Sequence, residues 1–131
     1  MSRRAFLKSL TALVGSIASP IAAHASIRSR TWKTLQTSPL AGFQFHSGET
    51  LWPKFATGQR LTLTREADNR FDGRAVRVDW QGHKLGYIPR LDNAAVSQLL
   101  DRGETLEAEI VGLENSSNPW GRIKVEVRWQ V

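Results

Sequence analysis

Apolar and polar residues alternate along most of the chain from residue 38 onward, and this period of two predicts β-strands that bury one face. The pattern is cleanest in residues 60–65, where Leu61 and Leu63 point to the same side. Gln81 and Gly82 separate two further segments and predict a tight hairpin. The predicted strands cover residues 40–46 (with Phe43 and Phe45 on one face), 60–65, 75–80 (with Val76, Val78 and Trp80 on one face), 83–88, 105–113 and 122–131.

One segment has helical periodicity instead. Asp92 is a candidate N-cap, Val96, Leu99 and Leu100 recur at helical spacing, and Gly103 stands where a C-terminal stop belongs. Six short strands with one helix or two predict a mainly β fold. A small six-stranded barrel is the expected architecture, because closure removes the exposed edges of a sheet.

The first 25 residues have the pattern of an export signal. Residues 2–8 (SRRAFLK) place the pair Arg3 and Arg4 before a weakly apolar stretch, Pro20 interrupts that stretch, and Ala25 ends a small-x-small cleavage pattern. The start resembles the twin-arginine signal S/T-R-R-x-F-L-K at every position. This resemblance implies export in the folded state to the periplasm. Retention of the segment as an anchor is the alternative, but its apolar run is short for a membrane span, so we expect none after cleavage.

The expected organisation is therefore a signal peptide at residues 1–25, a linker at residues 26–37 without clear periodicity, and one β domain at residues 38–131.

Removal of the signal changes the net charge of the chain. The whole chain has 18 basic and 12 acidic residues, a net charge of +6; three of the basic residues and none of the acidic ones precede residue 26. The remaining 15 basic and 12 acidic residues give +3, which permits a nucleic-acid partner without requiring one.

Few residues suggest catalysis. The chain has no cysteine, which excludes a disulfide framework, a cysteine-ligated metal site and a thiol nucleophile. Beyond residue 25, His46 and His83 are isolated histidines outside any HxH or HExxH arrangement. Asp68 and Asp72 are close in sequence, but loop carboxylates usually cap turns. We expect a binding domain that is not an enzyme and that needs no metal and no cofactor.

Three ordered sequence blocks resemble the HIRAN domain family. Residues 42–45 (GFQF) form the first block and are followed by Gly48. Residues 61–78 (LTLTREADNRFDGRAVRV) match the family pattern L-x-R-E/D-x-x-N-x-Y/F-D-x-x-A-V/I-x-V. Residues 86–90 (GYIPR) match the pattern G-Y/H-L/I-P-R/K. The resemblance extends over nearly all of residues 38–131 and implies an OB-type barrel.

The resemblance also implies a ligand, because the best-understood HIRAN domains capture the 3′ end of single-stranded DNA by base stacking and charge neutralisation. Asp72 stands at the position of the acid that accepts a hydrogen bond from the terminal 3′ hydroxyl. Arg90 stands at the position of a phosphate ligand, and Gln44 replaces an arginine of the DNA-end binders, so one charge contact is missing. The expected aromatic contacts are Phe45, Phe71, Tyr87 and, in a loop, Trp120.

Several of these residues also have a structural explanation. Phe71 could fill the end of the barrel, Tyr87 could belong to the core, and Asp72 could cap a turn in which Asn69 forms an Asx turn. Two functional hypotheses follow. The chain is either a nucleic-acid-binding module that captures single-stranded 3′ ends, or a periplasmic domain of the same fold that binds a protein or an envelope component.

Overall fold

Six antiparallel strands form one sheet in the computed structural model, which describes residues 31–131. The spatial order of the strands is β1-β6-β5-β2-β3-β4. Helix α1 spans Gly48–Leu51, and helix α2 spans Ala94–Asp101. The predicted signal residues Arg3, Arg4 and Ala25 lie outside the described residues. The strands are β1 Trp32–Pro39, β2 Arg60–Glu66, β3 Ala75–Trp80, β4 His83–Tyr87, β5 Leu106–Leu113 and β6 Ile123–Gln130.

The strands predicted from alternation are confirmed for β2 to β6, with bounds that shift by at most one residue. Their predicted inner faces form the core, since Val76, Val78, Ile110 and Val125 are each fully buried. The hairpin between β3 and β4 turns at Gln81 and Gly82, which both have a positive φ, as the predicted tight turn requires. The mainly β fold is therefore confirmed.

The predicted strand at residues 40–46 is wrong. Phe43–Phe45 is a 3₁₀ turn, and α1 follows it after a short interval. Phe43 is fully buried whereas Phe45 is 76% exposed, so the two rings do not share a face. Gly48 packs directly on the ring of Phe43, where a Cβ atom would overlap the ring carbons. This close approach fixes a compact loop at a place where the alternation of apolar residues resembled a strand.

Part of the segment predicted as a linker belongs to the sheet. β1 begins at Trp32 and pairs along its length with β6, so residues 32–37 are in a strand. The register shifts between Thr34 and Gln36, which marks a β-bulge. A bulge moves the following side chains to the opposite face, and it therefore interrupts the period of two by which a strand is identified in a sequence.

The sheet is not closed into the expected barrel, although its two ends approach each other. Immediately after β1, Ala41 forms an isolated bridge to Tyr87 at the end of β4, with the two N–H···O distances both 2.9 Å. Gly86 makes this approach possible, because a Cβ atom there would overlap the carbonyl oxygen of Ala41. One bridge brings the edge strands together without a full ladder, and a small, open, OB-like fold results.

Helix α2 follows the predicted segment, but Asn93 rather than Asp92 occupies its N-cap position. The helix ends in a Schellman arrangement, in which Gly103 N–H donates to Leu100 O and Glu104 N–H donates to Leu99 O. Gly103 has a φ of 79°, so it is the C-terminal stop that the sequence indicated. Among the described residues, no helix is long and apolar enough to cross a membrane.

Candidate nucleic-acid interface

A cleft of about 650 Å³ lies where the two ends of the sheet meet. Its walls come from three parts of the chain: the turn that follows β1, the loop between β2 and β3 with the first residue of β3, and β4 with the residues after it. The bridge between Ala41 and Tyr87 joins two of these walls. The cleft therefore lies where the two ends of the open sheet approach each other.

Five of the seven predicted site residues line this cleft: Phe45, Phe71, Asp72, Tyr87 and Arg90. The structure brings them together from positions that are up to 45 residues apart in the sequence. Gln44 and Trp120 do not line it. Gln44 is exposed on the 3₁₀ turn that carries Phe45. Trp120 is 48% exposed on the 3₁₀ turn Pro119–Gly121, which lies beside that first turn.

The two phenylalanines at the cleft have free ring surfaces. Phe71 is 83% exposed and Phe45 is 76% exposed, and neither ring pairs with another aromatic ring within residues 31–131. The structural explanation for Phe71, that it fills the end of the barrel, is wrong because the side chain is in solvent. Large apolar side chains that are exposed together beside a cleft are typical of binding surfaces.

Asn69 organises the loop that presents Phe71 and Asp72. Its Oδ1 atom accepts hydrogen bonds from the backbone N–H groups of Phe71 (2.9 Å) and Asp72 (3.1 Å), which is an Asx turn. Its Nδ2 atom donates to Glu66 Oε1 at 3.0 Å and thereby ties the loop to the end of β2. The structural role considered for Asn69 is thus confirmed, and that role fixes the position of two predicted site residues.

Asp72 is a carboxylate held between two donors. Its Oδ1 atom accepts from the backbone N–H of Arg74 at 3.0 Å, and its Oδ2 atom accepts from Asn93 Nδ2 at 2.7 Å. The bond from Arg74 is the main reason that the pKa of Asp72 lies below its ordinary value. Burial opposes this effect, and the Asn93 bond and the charges of Arg90 and Arg74 add to it. Each oxygen keeps a second lone pair, so Asp72 can accept a further donor from a ligand.

Tyr87 is half-buried at the wall of the cleft and is not a core residue. Its hydroxyl donates to Glu66 Oε1 at 2.8 Å, and Lys84 Nζ lies 4.7 Å from the centre of its ring. Burial raises the pKa of Glu66, but the hydrogen bonds from Asn69 and Tyr87 and the charges of Lys84 and Arg77 outweigh it, so the pKa is lowered. Because a cation already covers the Tyr87 ring, Phe45 and Phe71 are the better stacking surfaces.

Besides Asn69, three polar side chains at or next to the cleft were not among the predicted site residues. Asn93 is fully buried and positions Asp72 through its side-chain amide; the side chain makes no capping hydrogen bond to α2, so its N-cap position does not signal this role. Lys84 and His46 line the cleft, and Lys84 precedes the third sequence block by only two residues. Nothing in the sequence shows that the hairpin turns Lys84 toward His46.

The comparisons with known proteins agree with this fold. The HIRAN domain model matches residues 34–131. The chain belongs to the HIRAN domain family. A crystal structure of a protein from Lactobacillus plantarum is similar to it, with a TM-score of 0.68, 23% identity, and coverage of 77% of this chain and 97% of that one. The crystal structure of the HIRAN domain of human HLTF is also similar, with a TM-score of 0.62, 14% identity, and coverage of 78% and 79%.

At these identities the two solved structures establish the shared HIRAN fold. No curated protein sequence matched the chain. The HIRAN model begins at residue 34, inside β1, which agrees with the strand that the structure places before residue 38.

Proposed function

We propose that this HIRAN domain is a nucleic-acid-binding module and that the cleft is its binding site. The family supports this proposal, since HIRAN domains typically bind nucleic acid. The observation that carries it is the exposure of Phe45 and Phe71 beside one cleft that also contains Arg90 and Lys84. Aromatic faces and cations in one groove are the combination that binds single strands, because bases stack on rings while phosphates need positive charge.

We further propose that the cleft captures a free 3′ end. Asp72 is a carboxylate whose position is fixed by Arg74 N–H and Asn93, and it lies in the same cleft as Phe71. A terminal hydroxyl can donate to this carboxylate in a charge-assisted bond. A terminal phosphate would bring a second negative charge to the same place, and the two would repel each other. In this proposal the domain binds without catalysis.

Substitution Asp72→Ala is expected to remove the preference for a 3′ hydroxyl over a 3′ phosphate. The experiment measures fluorescence anisotropy of the full chain with two labelled oligothymidylates that differ only at the 3′ end, at low salt. The original chain should prefer the hydroxyl by roughly 10-fold or more, as expected for a hydrogen bond to a charged group of about 1.5–3 kcal/mol. The Asp72→Ala variant should bind the two strands with similar affinity.

Asp68→Ala is the matched control, because Asp68 is an exposed acid of the same loop and does not line the cleft. It should keep the preference of the original chain. If the original chain binds both strands equally, the proposal of end capture is wrong, and the proposal that the cleft binds single strands along their length remains. If it binds neither strand at low salt, the nucleic-acid proposal is wrong, and the alternative of a protein- or envelope-binding domain replaces it.

We also propose that the protein is exported to the periplasm through the twin-arginine pathway, supported by the pattern of residues 2–25. Changing Arg3→Lys together with Arg4→Lys should leave the full-length precursor in the cytoplasm, because the pair is the feature that the export receptor recognises. Cell fractionation and N-terminal sequencing measure this result. Mature protein that still reaches the periplasm and starts at Ser26 would contradict the proposal.

A further inference from the structure

His46 and Lys84 flank the ring of Tyr87 on one wall of the cleft. The His46 ring meets the Tyr87 ring edge-on, with 6.3 Å between the centres, and Lys84 Nζ lies 4.7 Å from the centre of the Tyr87 ring. Both side chains line the cleft. Neither takes part in the proposed contacts to a terminal hydroxyl or in the stacking on Phe45 and Phe71.

The backbone holds the two side chains in place. Gly42 has a φ of 75°, in the left-handed region, and this conformation turns the chain. His46 Nε2 then lies 3.8 Å from the position that a Cβ atom on Gly42 would occupy. One residue further on, Ser47 N–H donates to the carbonyl oxygen of Lys84 at 3.3 Å and fastens the turn to β4. These main-chain contacts place the backbone of His46 beside the backbone of Lys84.

The acids that face this pair have other partners. Glu66 accepts from Tyr87 and Asn69 and pairs with Arg77 at 3.5 Å. Asp72, in the loop across the cleft, accepts hydrogen bonds from Arg74 N–H and Asn93 Nδ2. Arg90 lines the same cleft and adds a further positive charge. Within residues 31–131, Lys84 forms no salt bridge and the His46 ring forms no hydrogen bond.

We propose that His46 and Lys84 form an anion subsite for a backbone phosphodiester of the bound strand, and that His46 donates to this phosphate as an imidazolium. The proposal rests on the proposed nucleic-acid function and adds a second contact region, separate from Asp72. Two donors beside one ring, neither of them in a salt bridge within residues 31–131, supply both the charge and the hydrogen bonds that a phosphate requires.

The subsite makes binding depend on pH. Burial and the nearby charge of Lys84 lower the pKa of His46, so the free protein holds a neutral imidazole at neutral pH. A bound phosphate favours the charged form and raises that pKa. Binding is therefore accompanied by uptake of a proton at His46. Affinity increases as pH falls from the pKa of His46 in the complex to the pKa of His46 in the free protein. The gain is at most about tenfold per pH unit for one proton.

The test measures the affinity of the full chain for a labelled oligothymidylate that has hydroxyls at both ends, from about pH 8 to about pH 5.5, a range that spans the ordinary pKa of histidine. Affinity should rise several-fold toward low pH, with most of the rise below neutrality. His46→Gln should remove this rise. His83→Gln is the matched control, since His83 is exposed in the β3–β4 hairpin and stacks on Trp80 outside the cleft, and it should keep the rise.

Lys84→Gln supplies an independent measurement. Without the neighbouring cation, the pKa of His46 should increase, and the rise in affinity should move to higher pH. The variant should also bind more weakly, and the slope of log affinity against log salt should decrease by about 0.7, the share of one phosphate on a single strand. Proton NMR of the His46 ring should show a pKa that increases when the oligonucleotide is bound.

The outcomes separate the two proposals. Binding that is independent of pH, or a pH dependence that His46→Gln leaves intact, overturns the subsite but leaves the nucleic-acid function in place. A His46 pKa that does not change when the strand binds also overturns it. Absence of binding across the whole pH range overturns both.

Discussion

Val78→Asp is expected to unfold the domain. Val78 is fully buried in the middle of β3, where it lies opposite Leu63 on β2 and Gly86 on β4. A carboxylate at this position would have no partner in the core. Burial of an unpaired charge costs several kcal/mol, which is comparable with the whole stability of about 5–15 kcal/mol typical of a small domain. Urea denaturation followed by tryptophan fluorescence should show no cooperative transition, or a midpoint that is greatly lowered.

The matched control is the same substitution at Val111 on β5. Val111 is 38% exposed and lies at the register shift between Ile110 and Gly112, so it has no partner across the strand pair with β6. Val111→Asp should cost no more than about 1 kcal/mol, as is usual for surface positions. Equal losses of stability at the two positions would show that the assignment of strand faces is wrong.

Arg77, the neighbour of Val78 on the opposite face, is half-buried and is less suitable as a control than its place as a polar residue in an alternating strand would suggest. Its guanidinium pairs with Asp79 at 2.9 Å and with Glu66 at 3.5 Å. Replacement by aspartate would place three carboxylates together, which adds repulsion to the loss of the pairs. The charge network on this face is part of the fold, and a sequence pattern of alternating polarity does not reveal it.

The sequence predicted the strands whose two faces differ in polarity. In β6, Ile123, Val125 and Val127 are buried, whereas the exposed Lys124 and the half-buried Glu126 alternate with them, so the period of two is visible. The period of two did not identify β1, because the bulge between Thr34 and Gln36 shifts the phase of the pattern. The same pattern wrongly predicted a strand at Phe43–Phe45, because two aromatic residues separated by one residue occur in a 3₁₀ turn as well as in a strand.

The candidate site was predictable where it lies within short sequence blocks. Phe71, Asp72, Tyr87 and Arg90 occur in ordered blocks of the family, and all four line the cleft. The contacts that position them join distant parts of the chain. The hydrogen bond from Asn93 to Asp72 spans 21 residues, and its existence depends on how the start of α2 packs against the loop between β2 and β3. Single-sequence patterns contain no information on such packing.

The double substitution Phe45→Ala and Phe71→Ala is expected to abolish measurable binding to single strands. Each ring is more than three-quarters exposed, so its removal leaves the core intact. Loss of one base–aromatic stack weakens binding by about 1–3 kcal/mol, or roughly 5- to 150-fold. The two rings come from different loops and can each stack on a different base, so the effects should be nearly additive. Anisotropy titrations of the single and double variants with an oligothymidylate measure these losses.

Leu91→Ala is the matched control, because Leu91 is 97% exposed and does not line the cleft. It removes a similar exposed apolar side chain and should change neither affinity nor stability. The midpoint of urea unfolding should also be unchanged in the Phe45 and Phe71 variants, which separates a binding defect from a folding defect. If the double variant binds as tightly as the Leu91→Ala protein, stacking on these rings is wrong. The cations Lys84 and Arg90 would then account for binding by charge alone, and affinity should fall steeply with salt without any contribution from the aromatic surface.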